Sequence, residues 1–151
     1  MALLKETPTN IDELIKNAGI KSDYQVRLLA LKELKKYDCP QSRDVILRLA
    51  LNDKVFKVKQ EAFKAAKVLG IEKNGKALKL GKKNIGYKLE DFIKVFLNIK
   101  DTKEMDELDL NLFKKTLKTV DPEMYDVMRF EKGDKFNSWV KTSFKCLPKG
   151  N

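Results

Sequence analysis

The chain has no histidine among its 151 residues. A Ser-His-Asp or Cys-His nucleophile needs an imidazole base, so the sequence excludes both kinds of catalytic site. The same absence excludes metal sites built on imidazole. Only two cysteines, Cys39 and Cys146, are present, which is too few for a zinc site of four thiolates. We therefore expect no catalytic residues, no metal site and no cofactor.

The sequence also lacks any run of 18 apolar residues, so it predicts no membrane-spanning helix. Residues 1–6 are too short and too acidic a start for a signal peptide. Two cysteines that lie far apart do not form a disulfide framework, and reduced thiols are typical of the cytosol. These features predict a cytoplasmic protein that does not bind membranes.

Two patterns that hold phosphate or metal in other proteins are incomplete here. Residues 81–83, Gly-Lys-Lys, lack the hydroxyl residue and the upstream glycine of a phosphate-binding loop. An acidic cluster lacks the spacing and the glycine of a calcium loop. Its members are Glu104, Asp106, Glu107 and Asp109. Because acidic residues are favoured near helix starts, the cluster is explained by a following helix.

The sequence is rich in helical periodicity, with apolar residues spaced three and four apart between turn residues. The clearest helix runs from Val55 to Leu69 and is followed by Gly70, a residue suited to ending a helix. A weaker helix is predicted from Asn74 to Gly81. Other helices are predicted from Asn10, Ser22 or Asp23, Ser42, Asp109, Asp121 and Asp134 onward, and from Tyr87 to Ile99. No period-2 stretch is bounded by turns, so the fold class is all-α.

Two segments of the first half are similar to each other at an offset of about 32 residues, within the range of helical repeats. Val26-Arg27 aligns with Val58-Lys59, and Ala30 aligns with Ala62. Each copy predicts a first helix, a turn and a second helix. The turns are placed near Cys39-Pro40 and near Lys73-Asn74. A valine followed one turn later by alanine lets two antiparallel helices approach closely.

The repeated pattern resembles the HEAT-repeat family, whose motif is an acidic turn, then Val-Arg, then alanine four residues after the valine. It occurs here as Asp23…Val26-Arg27…Ala30 and as Asp53…Val58-Lys59…Ala62. The resemblance covers about residues 20–85 and implies short helical-hairpin repeats stacked as an α-solenoid, with the helix at 11–18 as a cap. The second copy departs from the family in having Lys59 in place of arginine, and its second helix is short and flanked by glycines.

The second half of the chain contains no further copy of this pattern. It holds six of the eight phenylalanines and the only tryptophan. Aromatic side chains bury the most area, so they favour a packed helical region. We therefore predict two parts: 1–86, a HEAT-like repeat region with an N-terminal capping helix, and 87–151, a helical C-terminal part packed on the repeats.

The net charge of +10 is unevenly distributed along the chain. Between Lys54 and Lys88 there are eleven lysines against two acids, Glu61 and Glu72. From Lys73 to Lys88 there are six lysines and no acid. The stretch from Lys54 to Lys88 therefore carries nearly all of the excess positive charge.

The resemblance implies that the second helix of each repeat lines a concave surface. Lys76, Lys79 and Lys83 recur at helical spacing on the short helix predicted there. The predicted basic face consists of Arg43, Arg48, Lys76, Lys79, Lys82 and Lys83. Such a face suits carboxylates of an acidic peptide or protein. It equally suits phosphates, which attract lysine as a point charge.

Three functions remain open, and the first is favoured. It is a non-catalytic module that binds another protein or an acidic peptide, as a monomer or weak homodimer. The alternative is non-specific nucleic-acid binding, to which the resemblance adds the HEAT-like DNA-repair proteins. Four arginines among 32 basic residues and the lack of aromatics at 64–86 disfavour base recognition and stacking. The third is an enzyme similar to HEAT-repeat lyases, for which fold analogy is the only support. The positive charge is also explained by a lysine-rich surface that is simply solvated.

Overall fold

The structure, a computed structural model, describes residues 3–148 and is mostly helical, as the all-α prediction requires. The helices of this part are α1 (Ile11–Ala18), α2 (Tyr24–Leu34), α3 (Pro40–Asn52), α4 (Phe56–Leu69), α5 (Leu89–Thr102), α6 (Leu110–Val120), α7 (Pro122–Lys132) and α8 (Phe136–Lys145). A short 3-10 turn (Gly133–Lys135) precedes α8, and two short strands, β1 (Glu72–Lys73) and β2 (Lys76–Ala77), follow α4. Among the described helices, none has both the length and the apolar character needed to span a bilayer.

The chain divides into two compact units, Met1–Ile85 and Gly86–Asn151, called unit 1 and unit 2 below. The ranges predicted from the sequence, 1–86 and 87–151, include residues 1, 2 and 149–151, which lie outside the described residues. The packing of the second part on the first stays a prediction.

Several helix ends lie where the sequence places them. The Asp23 carboxylate accepts hydrogen bonds from the second and third amides of α2. Asp109 and Asp121 act in the same way at the starts of α6 and α7. Gly70 ends α4 in the left-handed conformation, with φ of 66°. These signals are local, because a cap needs only its own helix terminus.

One predicted helix start is displaced. The third helix begins at Pro40, whose ring suits the first helical position, rather than after Ser42. Ser42 is fully buried within the first turn, and its hydroxyl accepts a hydrogen bond from the Cys39 thiol at 3.4 Å. The Ser42 hydroxyl therefore accepts the hydrogen bond of a buried thiol instead of capping a helix.

The helices of unit 1 pair differently from the expected repeats. Helix α1 packs on α2, and α3 packs on α4, while α2 also packs on α4 and α1 on α3. The connections within each pair are short, so both pairs are antiparallel hairpins. This arrangement places α1 and α3 in one layer and α2 and α4 in the other. Helices α2 and α3, which the sequence predicts as one hairpin, also touch, but less extensively than α2 touches α1 or α4.

The helix predicted from Asn74 to Gly81 is also wrong. Residues 72–77 form an antiparallel β-hairpin in which Glu72 faces Ala77 and Lys73 faces Lys76. The turn residues Asn74 and Gly75 have φ of 53° and 76°, as expected of the Asn-Gly hairpin turn. Residues 78–88 have no regular secondary structure. Lysines three and four apart repel on a helix, and the flanking glycines weaken it further.

A buried ion pair ties the two helical hairpins of unit 1 together. The Arg27 guanidinium binds the Asp53 carboxylate with two hydrogen bonds, Nε to Oδ2 at 2.8 Å and Nη2 to Oδ1 at 3.0 Å. Its third nitrogen donates to the carbonyl of Ile20 at 2.9 Å. Arg27 therefore joins the turn before α2 to the turn before α4.

Unit 2 has a core of its own, built from aromatic side chains. The ring centroid of Phe96 lies 4.7 Å from that of Phe113 and 5.4 Å from that of Trp139, both edge to face. Phe113 in turn contacts Phe144 at 5.9 Å. Phe96 and Phe113 are fully buried. The aromatic residues counted in the sequence therefore pack largely on one another within unit 2.

Candidate functional site

The predicted basic residues do not form a helical ridge. Lys76 lies in β2, and Lys79, Lys82 and Lys83 lie in the irregular segment that follows. All four side chains are exposed. The part of the prediction that gave them a common helical face is wrong, because the helix is not formed.

Arg43 forms an ion pair with Asp38 within unit 1. Its Nε and Nη2 donate to the two carboxylate oxygens of Asp38 at 2.6 and 3.2 Å, and Nη2 also donates to the Leu69 carbonyl at 2.9 Å. The hydrogen bond from Arg43 holds the pKa of Asp38 below its usual value. The guanidinium thus fastens the end of α4 to the turn before α3. Arg48 lies exposed on α3, in the layer opposite α2 and α4.

The surface that combines positive charge with a concave shape lies between α2 and α4. Two adjoining cavities of about 330 and 320 Å³ share Lys35 and Glu61 as lining residues. We call them together the lysine groove. Its lining residues are Leu3, Leu28, Leu31, Lys32, Lys35, Lys36, Lys57, Glu61, Lys64, Ala65 and Val68.

Helical spacing explains how these side chains reach one groove. On α4, Lys57, Glu61, Lys64 and Val68 follow one another at intervals of four, three and four residues, so they share one face. That face lies beside three buried alanines of α4, Ala62, Ala65 and Ala66. These alanines pack α4 against the rest of unit 1. Lys32 and the residues just after α2 supply the other wall, and buried Leu31 and Ala65 form the floor.

Charge in the lysine groove is unbalanced. Five lysines line it against one carboxylate, Glu61. Glu61 accepts hydrogen bonds from Lys57 at 3.2 Å and from Lys64 at 3.4 Å, and the bond from Lys57 is the main cause that lowers the pKa of Glu61. Within residues 3–148, no carboxylate lies within 4.0 Å of the Lys32 or Lys35 ammonium.

The groove also exposes apolar surface. The Val68 side chain at one end is 71% exposed, and Leu28 is half-buried at the other. A partner's apolar side chains can cover this surface while its carboxylates meet the lysines along the walls. The titratable side chains among the lining residues are the ion-paired Glu61 and the five lysines.

Cysteine and carboxylate side chains also lie outside the lysine groove. Among them, no group of three or more Cys, Asp or Glu side chains is placed to hold a metal ion. Both cysteines are free, Cys39 buried and Cys146 exposed. Burial raises the pKa of the Cys39 thiol, but hydrogen bonding with Ser42, Thr7 and nearby backbone amides outweighs this effect and lowers the pKa.

A cleft of about 510 Å³ in unit 2 is lined by both signs of charge. Its walls bring Lys100, Lys141 and Lys145 together with Asp106 and Glu107. Because the cleft supplies its own counter-ions, it attracts a charged ligand less strongly than the lysine groove does.

Lys57 and Lys64 were not among the residues that the sequence assigned to the basic face. The signal that could have found them is their spacing with Glu61 and Val68 on one helical face. Lys32 and Lys35 carried no such signal, because their role depends on the packing of α2 beside α4.

The chain was compared with known protein families, with curated proteins and with solved structures, and none of them matches it.

Proposed function

We propose that unit 1 is a non-catalytic binding module that holds an acidic segment of another protein in the lysine groove. The observation that carries the proposal is the lining of this groove, five lysines and one carboxylate around an apolar floor. Protein interfaces commonly combine an apolar centre with a charged rim. The complementary partner is an amphipathic segment with apolar residues on one face and carboxylates beside them.

Two antiparallel helical hairpins in two layers also support a HEAT-like arrangement for unit 1, in which α2 and α4, the second helices of the hairpins, form the inner layer. The hairpins in this arrangement are not the ones expected from the sequence. Its basic inner face consists of the groove lysines instead of Arg43, Arg48 and the lysines at 76–83. The groove lysines, rather than those residues, are then the ones in contact with an acidic partner.

The test is a charge reversal in the groove. The variant Lys32→Glu, Lys35→Glu, Lys64→Glu should weaken binding of an acidic amphipathic helical peptide by at least about tenfold at low salt, because rim charges govern attraction. Fluorescence anisotropy of the labelled peptide measures the dissociation constant. A scrambled peptide of the same composition separates amphipathic recognition from charge alone.

The matched control reverses three exposed basic residues outside the groove, Lys16→Glu, Lys21→Glu and Arg48→Glu. It changes the net charge by the same amount and should leave most of the peptide affinity intact. Equal losses in the two variants, or no binding by the unaltered protein, would contradict the proposal. Affinity capture from the native host with and without nuclease then shows whether a captured protein partner depends on nucleic acid.

A further inference from the structure

The lysines between β1 and residue 83 form a second charged surface, distinct from the lysine groove. We call residues 73–83 the lysine segment. It carries five lysines, Lys73, Lys76, Lys79, Lys82 and Lys83, and no acid. All five are exposed. Its larger apolar residues, Leu78 and Leu80, are half-buried, so they anchor the segment while the ammonium groups face solvent.

The hairpin within this segment contains an unfavourable charge arrangement. Lys73 and Lys76 are direct cross-strand partners on either side of the turn. Like charges placed directly opposite each other destabilise a strand pair. A two-stranded hairpin of this length is already marginal by itself. An anion bound at the tip would therefore relieve a repulsion that the fold leaves in place.

From these two observations we infer that the lysine segment binds the phosphate backbone of a nucleic-acid duplex. This activity goes beyond the proposed protein-binding role and uses different residues. Nucleic acid fits better than protein because the segment presents charge alone, whereas the lysine groove also presents apolar surface. Phosphates need only point charges to be bound.

The composition of the segment sets the mode of binding. It has no arginine for bidentate contact with base edges, and no aromatic side chain on which single-stranded bases could stack. Binding is therefore independent of sequence and driven by release of counterions. About five phosphate contacts should lower the affinity by two to three decades between ~50 and ~200 mM salt.

The experiment uses the full chain and a fluorescent 20-base-pair DNA duplex, titrated at several salt concentrations. The test variant is Lys73→Gln, Lys76→Gln, Lys79→Gln, Lys82→Gln. It should reduce the slope of log affinity against log salt by about 3 to 4, since each lost phosphate contact removes about 0.9. A second duplex of unrelated sequence should bind equally well.

The matched control removes four exposed lysines of unit 2, Lys94→Gln, Lys103→Gln, Lys115→Gln and Lys132→Gln. If this control lowers the slope as much as the test variant, or if the unaltered protein shows no salt-dependent binding, the inference is overturned. Polyglutamate or phosphatidylserine vesicles bound as tightly as the duplex would also overturn it. The groove charge-reversal variant should retain most of its duplex binding, so failure of one proposal is distinguishable from failure of the other.

A second measurement does not depend on the variants. Duplex binding should slow amide hydrogen exchange at residues 72–77, because the bound phosphate screens the repulsion between Lys73 and Lys76. Unchanged exchange in this hairpin at saturating duplex would show that the phosphates are bound elsewhere.

Discussion

At the scale of the residue, the most consequential side chain of unit 1 is Arg27. It belongs to the repeated Val-Arg pattern of the sequence, and in the structure it is buried and bound to Asp53, 26 positions away. The buried residues of α2 are Arg27, Ala30, Leu31 and Leu34, while Leu29 is 67% exposed. Apolar spacing alone does not predict this set of buried residues, because hydrophobic periodicity does not anticipate a buried charge.

The variant Asp53→Ala should destabilise the protein by about 3 kcal/mol or more, because it leaves the Arg27 guanidinium buried without its partner. It also removes the hydrogen bond that the Asp53 carboxylate accepts from the Val55 amide. Urea unfolding followed by circular dichroism measures the change. The control is Glu61→Gln, which breaks more exposed ion pairs and should cost less than about 1 kcal/mol. Equal losses of unfolding free energy in the two variants would show that the buried Arg27–Asp53 pair stabilises the protein no more than the exposed pairs of Glu61 do.

At the scale of the element, helix ends and helix interiors differ in how far the sequence determines them. Asp23, Asp109 and Asp121 cap their helices as single residues. The segment after β2 was misassigned because lysines at intervals of three resemble a helical pattern. The Asn74-Gly75 pair was the stronger signal, since both residues readily adopt the positive φ that a hairpin turn needs.

The variant Gly70→Ala should lower the free energy of unfolding by about 1 kcal/mol, because alanine is strained at the φ of 66° found there. No atom lies within 4 Å of the added methyl group, so the cost comes from the backbone alone. Thermal or urea denaturation measures it. Gly81→Ala is the control, since Gly81 has open space and no positive φ, and it should be neutral. A loss of the same size in both variants would argue against the backbone explanation.

At the scale of the whole molecule, two compact units are joined through a stretch of chain without regular secondary structure. The positive charge is concentrated in unit 1 and at its end, in the lysine groove and the lysine segment. Unit 2 is built around Phe96, Phe113 and Trp139. The two units therefore differ in chemistry: one presents cations around helical hairpins, and the other buries aromatic rings.

Limited proteolysis tests this organisation. Trypsin at a low ratio should cut first after Lys79 or Lys82, because exposed, irregular backbone fits a protease site more readily than a helix does. Mass spectrometry of the early fragments identifies the bond. The variant with glutamine at positions 73, 76, 79 and 82 should be cut more slowly there. First cuts within α2 or α4 would contradict the assignment of the irregular segment.

The amino-acid sequence by itself determined the all-α class, the caps at Asp23, Asp109 and Asp121, and the helix that ends at Gly70. Periodicity and capping act within a few residues. The sequence also determined where along the chain the charge is concentrated.

The tertiary structure decided which helices pair, and with that which lysines face one groove. It joined Arg27 to Asp53, and it used Arg43 to fasten Asp38 and the end of α4. These outcomes depend on contacts between residues that are distant in the chain. Local periodicity carries no information about such contacts, because the free energy of each one is fixed only when the helices pack.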